Sequence, residues 1–312
     1  MNFEDINTLG KKKEPFLFIS DFKAKNIEVI PLDKLKELDI EFVIDENYSY
    51  KHHPHNFKKE PVNFASYASK FAEVIEEIKA GNTYILNLTQ ATKIETDLTL
   101  KEIYDLANAH YKLRFRDEFV CFSPEKFIQI KENQIHTFPM KGTIDASIKN
   151  AKEIILNDQK EMAEHIMIVD LLRNDLSIVA KNVSVEAFRY VQKIDAGEKE
   201  LLQVSSHIKG DLEVNWQNHL GDILQALLPA GSISGTPKKS TLGIIDKIEN
   251  YERGFFSGVF GVFDGVSFDS GVMIRFVQKS SDGYIYKSGG GITIESDAKS
   301  EYDELLNKIY LP

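Results

Sequence analysis

The chain has a single cysteine, Cys121, in 312 residues. One thiol excludes an intrachain disulfide, excludes cysteine-rich zinc sites and fits a reducing cytosol. Its neighbours Val120 and Phe122 are apolar, which makes it a buried, inert thiol, and no Gly-x-Cys-x-Gly elbow of a cysteine glutaminase surrounds it. Long hydrophobic runs are also missing. The run Pro15 to Ile19 is too short for the core of a signal peptide, and Ile166 to Leu172 is interrupted by Asp170. A membrane span needs about 20 apolar residues. Positive charge is scarce: the net charge is −10, with no basic block beyond Lys11-Lys12-Lys13. A nucleic-acid footprint is therefore not expected. These absences describe a soluble, cytoplasmic protein that would need a local cation or a metal to hold an anionic substrate.

What is present is enough apolar material, 42% of residues, for a large core. Tyr67, Phe71, Val74, Ile75 and Ile78 repeat at helical spacing, which predicts a helix over Phe64 to Lys79. Further helices are expected over Leu98 to Leu113, Ala151 to Leu176, Gly221 to Leu228, Lys238 to Ile248 and Ala298 to Tyr310. The apolar half of the third, Ile166 to Leu172, should be deeply buried. Strands are expected at Phe16 to Ile19, Glu41 to Ile44, Thr83 to Gln90, Glu118 to Ser123, Phe127 to Ile130, Val183 to Tyr190 and Leu201 to Leu212. Others follow at Phe255 to Val262, Gly271 to Gln278 and Tyr284 to Lys287. Strands come in runs around helices, without strict β-α-β alternation, which predicts an α+β fold of antiparallel sheets flanked by helices. No repeat or linker is visible. Residues 1–60 read as a short N-terminal segment packed on a main domain, and 61–312 as one compact catalytic unit.

Several stretches carry chemistry. In Pro139-Met140-Lys141-Gly142-Thr143, proline fixes one φ angle and glycine frees another, so Lys141 sits on a constrained backbone. Alone, this is either a strand end with a solvated lysine or an active-site lysine. Glu161 and Glu164 lie three apart on a helix and share a face, as do Glu301 and Glu304. Such pairs form a solvated acidic face unless a cation is near; two pairs, with Arg275 and Gly289-Gly290-Gly291 between them in sequence, point to a hard-cation site. An arginine there would fork a substrate carboxylate. The histidines of Tyr50 to Asn56 read as a solvated loop, because Pro54 interrupts them and the flanks are polar. The Pro229 to Lys238 loop is not a P-loop, since Thr236 and Pro237 remove a needed glycine and a backbone donor; it reads as a shaping loop or lid.

Together these stretches resemble the chorismate-utilising enzymes, the family of anthranilate, aminodeoxychorismate, isochorismate and salicylate synthases. The resemblance runs from about Phe64 to the C-terminus. It is carried by Ile166 to Asp175, the Gly231 to Lys238 loop with Ile244-Ile245-Asp246, and Gly289 to Ile292 with Ser296-Asp297 and the Glu301-Tyr302 helix. It implies the α-β-β-α sandwich of anthranilate synthase component I. It also implies Mg²⁺ held by Glu164 and Glu304, directly or through water, with Glu161 and Glu301 in support. Arg275 would clamp the enolpyruvyl carboxylate, Gly289, Gly291, Gly142 and Thr143 would complete the chorismate pocket, and Glu125 would be the general acid at the departing 4-hydroxyl. Such an acid must keep its proton near neutrality, which burial favours.

Lys141 chooses among the branches. Anthranilate synthases resemble Pro-Ile-Ala-Gly-Thr here, whereas aminodeoxychorismate synthases carry Pro-Ile-Lys-Gly-Thr. In that branch the lysine, as a neutral amine, is a covalent nucleophile. The resemblance therefore implies the component I reaction of that branch: chorismate plus ammonia giving 4-amino-4-deoxychorismate for p-aminobenzoate and folate synthesis, with a glutamine amidotransferase subunit as ammonia source. Two positions depart from the pattern. Ile85 stands where the water-adding enzymes have lysine and the aminating ones glutamine, and Gln203 stands where a histidine is usual. Anthranilate synthase component I, or a non-catalytic subunit that activates a glutaminase, are the other readings. The short N-terminus leaves little room for a tryptophan-binding regulatory subdomain.

Overall fold

The computed structural model describes residues 2–45, 53–195 and 200–312. Tyr50, Lys51 and His52 of the histidine stretch lie outside these. His55 Nδ1 lies 2.9 Å from the His53 carbonyl, and among the described residues no three His, Cys, Asp or Glu side chains gather as a metal cluster. No helix among them is long and apolar enough to cross a membrane. The chain divides into two units that alternate along the sequence. One comprises Met1–Pro15, Lys126–Leu228 and Phe263–Ser270; the other comprises Phe16–Glu125, Pro229–Val262 and Gly271–Pro312. The segment expected to end at residue 60 is thus divided at Pro15, and residues 61–312 contribute to both units.

The first unit is built on the strand Glu200–Asp211. Lys181–Asp195 pairs antiparallel along one edge of it. Along the other edge it pairs with Gln134–Thr137 and then with Met140–Asp145, with Phe138 and Pro139 in the break between them. Lys126–Lys131 forms a hairpin with Gln134–Thr137. A helix that the sequence reading omitted, Phe3–Lys12, starts this unit. Asn2 caps it by accepting from the Glu4 and Asp5 amides, while the Asp5 carboxylate accepts from the Asn2 amide, a reciprocal pattern that satisfies otherwise orphaned donors.

The second unit carries an antiparallel sheet in the order Gly235–Thr236, Ile85–Thr96, Gly283–Ile292, Phe276–Ser280, Phe119–Ser123, Tyr111–Phe115, Ile40–Ile44, with Phe57–Glu60 also on Ile85–Thr96. The strand Phe119–Ser123 shows why its apolar run is continuous. Side chains alternate across a strand, so Val120 and Phe122 enter a core with Tyr67, Val74 and Leu305, while Phe119 and Cys121 enter another with Leu17 and Phe260. Burial pushes the free Cys121 thiol well above its ordinary range. The helices Phe64–Lys79 and Ala298–Asn307 lay the aromatic group Tyr67, Phe71 and Tyr302 on the first core.

Several expectations are corrected. The long helix is two, Ala151–Asn157 and Gln159–Val179, because Asp158 breaks the chain and caps the second. Its apolar half is amphipathic, with Ile168, Leu171 and Leu172 buried but Ile166 48% exposed. The helix expected over Leu98 to Leu113 stops at Leu106, and Tyr111–Phe115 becomes a strand. Phe255 to Val262 is extended only from Val259 on. Arg275 is not within a strand; it sits at the break between Phe268–Val272 and Phe276–Ser280 with φ 50°. The three glycines lie inside one continuous strand, Gly283–Ile292. The Pro229 to Lys238 loop contains a helical turn, Gly231–Ser234, and a short paired strand.

Candidate active site

In the first unit the register fixes the direction of Lys141. Met140 lies opposite Ser205 and Thr143 opposite Gln203, so three steps on one strand meet two on the other. Lys141 and Gly142 form this bulge, and Gly142 takes φ 89°, a conformation that only glycine adopts without strain. A bulge bends its strand and re-aims a side chain. Lys141, 28% exposed, points its ammonium to within 3.7 Å of the Glu164 carboxylate, which Lys160 approaches to 4.0 Å.

The helix Gln159–Val179 supplies the carboxylates. Asp158 accepts from the Glu161 amide at 3.0 Å, which caps the first turn, and the positive helix end favours the acidic residue placed there. Glu164 follows one turn later and is buried. Glu161 packs on the bulge, with its Oε2 3.3 Å from where a Cβ on Gly142 would lie. Next to Glu164, the buried His165 places Nε2 2.7 Å from Ser206 Oγ, and the Ser206 amide donates to the Pro139 carbonyl at 3.0 Å. The helix is thereby tied to the start of the lysine turn. Burial, reinforced by Arg189, pushes His165 down to about 4, so it is a neutral strut at physiological pH.

The second unit carries the other expected residues. Glu125, half-buried, follows Ser123-Pro124; its amide donates to Ser123 Oγ at 3.1 Å, and its carboxylate accepts from Ser232 Oγ at 2.5 Å. Ser232 was not among the residues expected from sequence, because 107 positions separate the partners. Arg275 donates to the Tyr310 hydroxyl and lies 5.2 Å from that ring's centre. Gly289, Gly290 and Gly291 pair with Thr89, Leu88 and Asn87. A Cβ on Gly289 would stand 2.6 Å from the Leu88 carbonyl oxygen, so the strands approach closely only because no side chain is there. On the helix Ala298–Asn307, Glu301 is buried and accepts from Ser296 Oγ at 2.8 Å, whereas Glu304 is 56% exposed and pairs with Lys308 at 2.7 Å. Glu301 Oε2 lies 3.5 Å from where a Cβ on Gly290 would be. Each unit therefore sets the first glutamate of a helical pair over a strand glycine.

The two departures from pattern have definite positions. Ile85 is 2% exposed and pairs with Thr236. Gln203 lies opposite Thr143, beside the lysine bulge. All four glutamates offer oxygen only, as Mg²⁺ prefers, and one or two protein carboxylates suffice when water and substrate oxygens complete the shell. Within its own unit, each glutamate pair suits a hard cation and offers nothing to a soft one.

A sequence model of the family described as chorismate binding enzyme matches residues 19–311. An uncharacterised PabA-like protein of Haemophilus influenzae is 46% identical over 99% of this chain and 95% of its own length. The aminodeoxychorismate synthase component 1 of Salmonella typhimurium is 30% identical over 78% of this chain and 56% of its own. In structure, the anthranilate synthase component I of Streptococcus pneumoniae superposes with TM-score 0.69 and 26% identity, over 92% of this chain and 69% of that one.

Proposed function

The chain belongs to the chorismate binding enzyme family and is a chorismate-utilising enzyme; from that premise we propose that it is aminodeoxychorismate synthase component I. The reaction is chorismate plus ammonia giving 4-amino-4-deoxychorismate and water. The observation that carries the reading is Lys141, held on a bulge 3.7 Å from the buried Glu164, where the anthranilate branch would have alanine. Its neutral amine adds to ring carbon 2, the ring double bond shifts, and the carbon 4 hydroxyl leaves as water with the proton of Glu125. Ammonia then adds at carbon 4, the double bond returns, and the lysine is expelled. Splitting one displacement into two is nucleophilic catalysis, and the proton is required because hydroxide is a poor leaving group.

The remaining residues bind and orient. Arg275 forks the enolpyruvyl carboxylate. By the family resemblance the amides of Gly289 and Gly291, and those of the Gly142-Thr143 turn, would bind chorismate. By the same resemblance Glu164 of one unit and Glu304 of the other would be the Mg²⁺ carboxylates, with Glu161 and Glu301 in support, and the ion when bound neutralises the ring carboxylate. The buried Ile85 has no proton to exchange, which disfavours a water-activating role in its strand. A separate glutamine amidotransferase subunit would deliver ammonia, since the only thiol is buried.

Incubation of the purified protein with chorismate, Mg²⁺ and ammonium should give 4-amino-4-deoxychorismate as the main product by mass spectrometry. Anthranilate or isochorismate in its place would overturn the assignment. Lys141→Ala should lose about 10²-fold or more in kcat, as expected when a nucleophile is removed, together with any covalent adduct seen by intact-mass measurement.

A further inference from the structure

Glu125 is held through a chain of contacts that begins at a buried ion pair. Arg253 and Glu249 are each 2% exposed, with Nη2 2.6 Å from Oε1 and Nε 2.8 Å from Oε2. Burying two charges is costly, and such a pair is weak evidence for stability. What it holds is more informative. The Arg253 guanidinium donates to the Ile233 carbonyl at 3.1 Å and to the Asn87 carbonyl at 2.7 Å. Phe22 lies under its plane at 4.2 Å. Glu249 in turn accepts from the Thr89 amide and hydroxyl, both at 2.8 Å. One planar fork therefore joins the strand Ile85–Thr96 to the turn Gly231–Ser234.

Asn87 makes a second link across the same junction, donating from Nδ2 to the Ser232 carbonyl at 2.9 Å. The backbone on both sides of the Ser232–Ile233 peptide is thus fixed. Ser232 presents its hydroxyl to Glu125 at 2.5 Å, the short range of O–H to carboxylate bonds. An isolated serine rotor could turn away from that contact; here the backbone that aims it is held at two carbonyls. Asn87 also lies opposite Gly291, so the same strand position serves the glycine run and the acid.

We propose that Ser232 is the positioning residue for Glu125, and that Asn87 with the Arg253–Glu249 pair forms the brace that keeps Ser232 in place. The inference rests on Glu125 acting as the general acid. Proton transfer depends on sub-ångström placement, and a carboxyl pinned at Oε1 by a short hydrogen bond is held in one orientation.

The test is steady-state kinetics of the purified protein with chorismate, Mg²⁺ and ammonium. Ser232→Ala should lower kcat about tenfold or more, short of the ~10²–10⁴-fold cost of losing a general acid outright. KM for chorismate should change by less than about twofold, the pattern of an interaction made in the transition state. The solvent deuterium isotope effect on kcat should rise, because proton delivery becomes slower. Ser232→Thr, which keeps the hydroxyl, should restore most of kcat. Asn87→Ala should lower kcat in the same way, and the double variant should be no worse than Ser232→Ala alone. Unchanged kcat in Ser232→Ala, no recovery with threonine, or multiplicative losses in the double variant would overturn the brace. Glu125→Gln separates the two levels: retained activity there removes the general-acid reading, whereas lost activity with an unaffected Ser232→Ala overturns this inference alone.

Discussion

Lys141 owes its aim to the residue after it. Gly142 has φ 89°, and the extra residue it permits turns the lysine from the strand face toward Glu164. A Cβ at this position would stand 3.3 Å from the Glu161 carboxylate and 3.4 Å from Ile155 Cδ1. Gly142→Ala should therefore cost about 1–3 kcal/mol from left-handed strain and crowding, read as a lower urea midpoint with unchanged slope. It should also lower kcat more than stability alone explains, because the bulge would relax and carry Lys141 with it. A variant with wild-type kcat would show that the bulge does not aim the lysine. This turn was legible in sequence because its cause is local: Pro139 and Gly142 flank the lysine and restrict its backbone. Ser232 was not legible, since its role depends on a partner 107 positions away. Ile85 was recognised as odd, but only the fold shows it 2% exposed and paired with Thr236.

At the level of elements, the helix Gln159–Val179 carries most of the first unit's chemistry, and its start is set by one side chain. Asp158 accepts the Glu161 amide at 3.0 Å, and that amide belongs to a residue of the proposed metal shell. Replacing the cap by alanine typically costs about 1 kcal/mol. Asp158→Ala should lower the melting temperature by a few degrees, roughly 2–4 °C for a domain of this size. It should also raise the Mg²⁺ concentration needed for half-maximal activity, because Glu161 would fray first. An unchanged Mg²⁺ requirement would separate the cap from the site. The break at Asp158 was missed because apolar periodicity continues across it, and a single capping residue is a weak signal against a long pattern. The opposite error occurred at Leu106, where the helical pattern was carried into Tyr111–Phe115. There Tyr111-Lys112-Leu113-Arg114-Phe115 alternates apolar and charged residues, the period of a strand, although Lys112 and Arg114 are themselves buried. The helices Phe64–Lys79 and Lys238–Ile248 were readable because each has one apolar face and clear stops.

At the scale of the whole molecule, the division into two alternating units left no trace in the sequence. Two of the crossings fall inside the strands Val259–Phe263 and Phe268–Val272, and none coincides with a shift in composition or a linker. Acid stability, by contrast, follows from specific side chains. His136 and His207 lie 3.0 Å apart through Nδ1 and Nε2, and burial holds both below the ordinary histidine range, with His207 and the lysines near His136 acting in the same direction. Their folded-state proton affinity is thus lower than that of the unfolded chain. The unfolded state binds more protons as pH falls below about 6.5, so stability drops there and does not drop above it. Melting temperature should fall between pH 7.5 and 5.5. His136→Gln with His207→Gln should reduce that slope without abolishing it, since buried His165 contributes with the same sign; an unaltered slope would exclude the pair as its source.

The proposed amination needs a nitrogen source. Releasing ammonia from glutamine by the thiol route needs an accessible thiolate. The only cysteine in the chain is buried in a strand, with its thiol pushed well above the ordinary range, so almost none is ionised and none is reachable. The proposed reaction consumes ammonia at the ring. The purified chain should therefore aminate chorismate with ammonium and not with glutamine. Rates at fixed total ammonium should rise with pH as the neutral amine becomes more abundant. Adding a glutamine amidotransferase subunit should make glutamine a substrate, with glutamate released in step with product. Glutamine-dependent product from the chain alone, surviving Cys121→Ser, would mean that a nitrogen-releasing site exists elsewhere in the fold.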